Sequence, residues 1–220
     1  MYADNQSSLE CLRELQLSNA DFKIVVLDFS SPGCGWKGRK RGVGWARKEL
    51  FAAIGAECVD DELVVSLDAD SVFSETYLES VLCTMNCTPE CNALCVSYYH
   101  PLSGNDQQDR AMLRYEIYMR HYLLSLLESA NPYAFTALGS AMVFPLWAYR
   151  RVGGITPLQG GEDFYLMQKF AKTGRVLLSC NEVVRPQGRP SLRVPFGTGP
   201  AIAKGLDSMD STYPLYPQEA

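Results

Sequence analysis

The chain has 220 residues and a mass of 24.5 kDa, with 47% hydrophobic and 20% charged residues, a composition that supports one sizeable core. A net charge of −5 and a pI near 5.1 argue against duplex nucleic acid as the main partner, since phosphate-rich duplexes select basic surfaces. With no apolar run long enough for a bilayer and no secretory signal at the start, the expected location is cytoplasmic, with peripheral association at the inner membrane face as the one membrane role left open.

Leu9, Leu12 and Leu15 at helical spacing predict a helix over 6–17, with Ser7 and Ser8 available as caps. The run FKIVVL at 22–27 predicts a buried strand ending at Asp28 and a turn-prone SSPGCG stretch. A helix over 44–56 follows, with Ala46, Leu50, Ala53 and Ile54 on its apolar side, and then a strand over 63–67 that closes on Asp68-Ala69-Asp70. The next elements are a helix over 77–85, a strand over 93–99 and a long helix over 109–129. Leu113, Ile117, Leu124 and Leu127 form the apolar stripe of that long helix. A strand over 137–144 bends at Gly139-Ser140-Ala141, a helix over 162–172 is stopped by Gly174, and a last strand covers 175–179. Beyond Val184 the chain is rich in Pro, Gly and Arg and shows no clear period.

Alternating strands and helices predict an α/β layer with a mostly parallel sheet flanked by helices. Residues 1–184 form its domain, and residues 185–220 are an Arg/Gly/Pro-rich loop and tail packing on it. Ligands of such sheets bind at the carboxyl ends of strands, where Asp28 and the Asp68-to-Asp70 turn both fall. The eight cysteines contain no CxxC pair, and Pro89 interrupts the every-fourth-residue series of Cys83, Cys87, Cys91 and Cys95. Reduced, mostly packed thiols are expected rather than a zinc site.

Two carboxylates one residue apart, just past a strand, can hold a divalent cation that bridges two phosphates. A bare DxD is as often a pair of solvated loop acids. Glu162 and Asp163 open a helix after two glycines, where acids are commonly just favourable partners of the helix dipole. A local basic cluster of Lys37, Arg39, Lys40, Arg41, Arg47 and Lys48 reads mostly as a solvated loop. A second one, Arg185, Arg189 and Arg193, sits in a loop able to grip a diphosphate through bidentate arginine contacts.

Taken in order, VVLDFSS, RGVGWARKEL, VVSLDADS, LGSAMVFPLWAYRRVGGI and GGEDFYLMQKFAKTGRV resemble the family 2 glycosyltransferases of the GT-A fold, from residue 23 to about 180. The resemblance implies an inverting transfer of a sugar from a nucleotide-diphosphate sugar to an acceptor hydroxyl, with Mn2+ or Mg2+. It assigns Asp28 to the nucleotide base, and Gly42, Gly44 and Arg47 to the nucleotide sugar. Asp68 and Asp70 become the metal and sugar-nucleotide pair, and Asp163 the general base with Glu162 orienting it. Arg189 and Arg193 fall on the donor's diphosphate side. The acceptor is a glycan, a lipid or another hydroxyl compound, and nucleic acid is not a partner.

The chain departs from the family pattern in three places. Phe29 stands where a second acid is usual, the C-terminal loop holds no histidine, and no strand precedes the first helix. A domain lacking that strand would leave a sheet edge open to an edge-strand dimer. Two other functions fit the same architecture: a non-catalytic sugar-binding or assembly remnant, and a sugar-phosphate nucleotidyltransferase.

Overall fold

The computed structural model describes residues 2–18, 21–38, 40–207 and 213. The chain divides into two compact units, Met1–Arg41 and Gly42–Ala220. In the first, helix α1 (Tyr2–Ser18) is followed by an irregular segment. No strand forms over 22–27, contrary to the sequence reading, and Phe22 and Val25 are exposed. A β-branched run supplies propensity, but a strand exists only where a neighbour takes up its backbone groups.

The second unit is mixed α/β. Its elements are α2 (Val43–Glu57), β1 (Leu63–Ser66), α3 (Tyr77–Asn86), β2 (Cys91–Tyr98), α4 (Asp106–Glu128), β3 (Met142–Pro145), α5 (Leu146–Arg151), α6 (Glu162–Thr173), β4 (Arg175–Val184) and α7 (Thr198–Asp207). The four strands form one open sheet in the order β1-β3-β2-β4. The expected mostly parallel sheet is parallel only in part: β3 runs antiparallel to both its neighbours, β1 and β2, while β2 and β4 pair in parallel, so that β1, β2 and β4 share one direction. Alternation and apolar content reveal a strand but not its direction.

Side-chain alternation sorts the core onto the two faces of the sheet. Ala93, Cys95, Met142 and Phe144 meet Phe51 of α2 and Leu166, Met167 and Phe170 of α6. Leu94, Val96, Ala141 and Val143 meet Tyr77, Val81 and Met85 of α3. Because helices cover both faces, β2 is buried along nearly its whole length and reads as a continuous apolar run.

Three further expectations are corrected. On α2 the buried positions are Gly44, Arg47 and Phe51, while Leu50 is exposed. On α4 the stripe of Leu113, Ile117, Leu124 and Leu127 is exposed, and Ala111 and Met112 are buried instead. That buried pair receives α7, an element with no visible period, through Ile202 and through Gly205, where an added Cβ would lie 2.7 Å from the Ala111 Cβ. The cysteines are free thiols but not mostly packed: Cys91 and Cys95 are buried in β2 and Cys58 is half-buried, whereas Cys11, Cys34, Cys83, Cys87 and Cys180 are exposed.

Register places one rim of the sheet. Ser66 at the end of β1 pairs with Met142 at the start of β3, so Asp68 and Gly139 leave the sheet side by side. The Ser66 hydroxyl donates to the Gly139 carbonyl at 2.6 Å. β2 and β4 are parallel and end together at Tyr98 and Val184. The helix before β4, α6, begins at Glu162 and returns to this same end.

Candidate active site

Arg47 organises the rim. It occupies the buried stripe of α2, where its side chain is 9% exposed, and its guanidinium joins carboxylates from two distant motifs. Nη1 donates to Glu162 Oε1, and Nη2 donates to Asp68 Oδ1 at 2.6 Å. Glu162, at 2% exposure, is among the most buried polar groups of the chain, whereas Asp68 is about half exposed. Two glycines make the approach feasible. A Cβ on Gly139 would overlap the Arg47 guanidinium, and one on Gly44 would overlap the backbone of Leu158.

Asp163 stands beside this group. Its Oδ1 accepts from the Phe164 N–H at 2.8 Å, and the Gly139 N–H also bonds to its carboxyl. Burial raises the Asp163 carboxyl above its ordinary range, against the opposing pull of Arg47 and of the Phe164, Gly139 and Asp163 backbone N–H groups. Glu162 is raised too, first by burial and then by Asp163, with Arg47 pulling the other way. Burial works to lower the Arg47 value, but Asp68, Glu162 and Asp163 outweigh it and hold the guanidinium firmly charged. One cation thus faces three carboxyl groups. Such a centre favours either a proton on a carboxyl or a further cation.

Asp70 faces the rim from the same turn, and its Oδ2 accepts from Arg189 Nη2 at 2.9 Å. The segment after the turn is fixed to the exit of β4. Val72 and Arg185 exchange two backbone hydrogen bonds of 3.0 and 2.8 Å. Buried Glu182 accepts from the Ser74 hydroxyl at 2.6 Å and from Thr76 at 3.2 Å. The Ser71 and Ser140 hydroxyls, next to Asp70 and Gly139 respectively, are buried polar groups with no hydrogen-bond partner.

The structure therefore brings Gly44, Arg47, Asp68, Glu162 and Asp163 together, and it pairs Asp70, on the same turn as Asp68, with Arg189 from the segment after β4. Arg193 is not brought in: it is exposed, and its N–H groups turn back to the Ser191 hydroxyl at 3.4 Å. Asp28 belongs to the first unit, where its Oδ1 accepts from Ser30 N at 2.8 Å, Ser30 Oγ at 3.0 Å and Ser31 N at 3.0 Å. Bonds from Ser31 and then Ser30 hold it at about 2. Arg39 lies outside the described residues. Gly139, Ser140 and Glu182 were not singled out for the site by sequence reading; the bend at 139–141 was the only signal. An apolar groove along the outer edge of β1, lined by Leu63, Val65, Leu78, Val81 and Leu82, contains none of these groups.

Among the described residues no three His, Cys, Asp or Glu side chains gather as a ready-made metal cage. The donor set suits a different arrangement. Two carboxylates, Asp68 about half exposed and Asp70 about a third, could share a hard cation whose remaining positions would go to phosphate oxygens and water, the usual habit of Mg2+ with phosphate ligands. No helix among the described residues is long and apolar enough to cross a membrane. Comparison with protein-family models and with curated proteins returns no match.

Proposed function

We propose that this rim is the catalytic centre of an inverting glycosyltransferase of the family 2, GT-A type, acting on a nucleotide-diphosphate sugar. The observation that carries the reading is the meeting of Asp68, Glu162 and Asp163 around one buried arginine. These residues come from motifs about ninety positions apart, and they converge at the carboxyl ends of β1, β2 and β4, the end at which ligands of α/β sheets generally bind.

Each group then has a task. Asp70 and Asp68 would hold Mg2+ or Mn2+, which supplies charge compensation for the departing diphosphate. Asp163 accepts the proton of an acceptor hydroxyl as that oxygen bonds to the anomeric carbon. Its raised value makes it a better base than an exposed aspartate, because efficiency grows as the base approaches the working pH. The bond from the anomeric carbon to the diphosphate oxygen breaks on the opposite face, releasing a nucleoside diphosphate and inverting the centre. Glu162 and Arg47 stay paired and keep α6 in place, so Asp163 is aimed by its own helix start and by the Gly139 N–H.

The test is product release from a panel of nucleotide sugars incubated with the protein and Mn2+. Nucleoside diphosphate is expected. Pyrophosphate would point to the nucleotidyltransferase reading, and no product from any donor with any acceptor would leave a binding role.

A further inference from the structure

Residues 189–197 run from one group of carboxylates to the other. At one end Arg189 grips Asp70. At the other, Val194 and Pro195 lie against Gly160, and the Phe196 ring lies so close to Gly161 that an added Cβ would sit 2.8 Å from its Cζ. The same short segment therefore touches the turn of Asp70 and the glycine pair that sets Glu162 and Asp163. Its roots are firm: Gln108 donates to the Gly188 carbonyl at 2.7 Å, and Ser191 N donates to Gly199 O at 3.2 Å. Its outer side is not packed, since Leu192 is 84% and Phe196 55% exposed. Gly197, at φ 104, provides a turn before α7 that other residues rarely adopt.

We infer that residues 189–197 form a strap held down in the free protein by Arg189, which occupies Asp70 and yields it when a divalent cation arrives. The inference rests on the reading of Asp68 and Asp70 given above. Arg189 is 59% and Asp70 35% exposed, so their contact is a weak, water-screened ion pair that a doubly charged ion can displace. Arg189 is a positioning residue here: it governs when Asp70 is available and where the strap lies. Arg193, on the same strap but bonded to Ser191 rather than to a carboxylate, provides an internal control for charge alone.

Calorimetric titration of the full chain with Mn2+ alone tests this. Arg189→Met should bind Mn2+ about two- to fivefold more tightly than wild type, the range an exposed pair can supply. Arg193→Met should bind as wild type does. Hydrogen exchange over 190–197 should accelerate on adding Mn2+ to wild type, and should be fast and indifferent to Mn2+ in Arg189→Met. Equal Mn2+ affinity in Arg189→Met and wild type, or equal tightening in both arginine variants, overturns the strap while leaving the cation site intact. If neither wild type nor Arg189→Met binds Mn2+, the cation site fails and the strap falls with it.

Discussion

Arg47→Met removes the guanidinium while keeping the length and much of the volume of the side chain. Asp68 is about half exposed and loses little, because water replaces the arginine. Glu162, at 2% exposure, is left among apolar neighbours with Asp163 beside it. Removing one partner of a buried ion pair costs about 3–5 kcal/mol, which for a chain of this length lowers the melting temperature by roughly 6–20 °C. The cost should depend on pH with a definite sign. Arg47 is the main group lowering the Glu162 value, so its loss raises that value further above the unfolded one. A carboxyl raised on folding contributes its stability below the unfolded value, and that contribution is lost as pH rises through the folded one. The penalty should therefore be small at pH 4 and largest at pH 8. Circular-dichroism melts at both pH values measure it, and Arg47→Met with Glu162→Gln should recover most of the loss. A penalty under about 1 kcal/mol at pH 8, or one larger at pH 4, would refute the reasoning.

Two other variants probe the same centre. Asp163→Asn should slow turnover by roughly a hundredfold or more with donor binding nearly unchanged. It should also stabilise the fold by about 0.5–2 kcal/mol at pH 8 by relieving the excess of negative charge, a gain that shrinks as pH falls and the wild-type carboxyl takes up its proton. Gly139→Ala should cost about 1–3 kcal/mol in a thermal melt, because its methyl group displaces the Arg47 guanidinium. In the Arg47→Met background that cost should disappear, since the crowded partner is gone.

The residues of the rim were legible because each stands at a recognisable point of the chain. Asp68 and Asp70 end an apolar run, and Glu162 and Asp163 follow a glycine pair before a helical period. Their union was not legible, because it depends on contacts such as Arg47 to Glu162, 115 positions apart. Hydrophobic counting found only part of the buried face of α2: Ile54 packs on the core, but Leu50 is exposed, and Gly44 and Arg47 share the buried stripe with Phe51. A charged residue on that stripe is invisible to periodicity and is also the strongest sign of a site. The long α4 misled for the converse reason, since its regular leucines face solvent while small Ala111 takes the helix contact. In α7 Pro200, Gly199 and Gly205 read as breakers. Proline is tolerated in a first helical turn, and Gly205 is small because Ala111 lies against it.

The central claim is that the acidic turn binds a nucleoside diphosphate through a divalent cation. Calorimetry with a panel of nucleoside diphosphates, with and without Mn2+, on wild type and Asp70→Ala tests it most directly. Binding should require Mn2+, vanish with chelator and be lost in Asp70→Ala, while the variant keeps the wild-type melting temperature within a few degrees, since only an exposed ion pair is removed. Binding that is indifferent to chelator, or equal in the two proteins, would contradict the account.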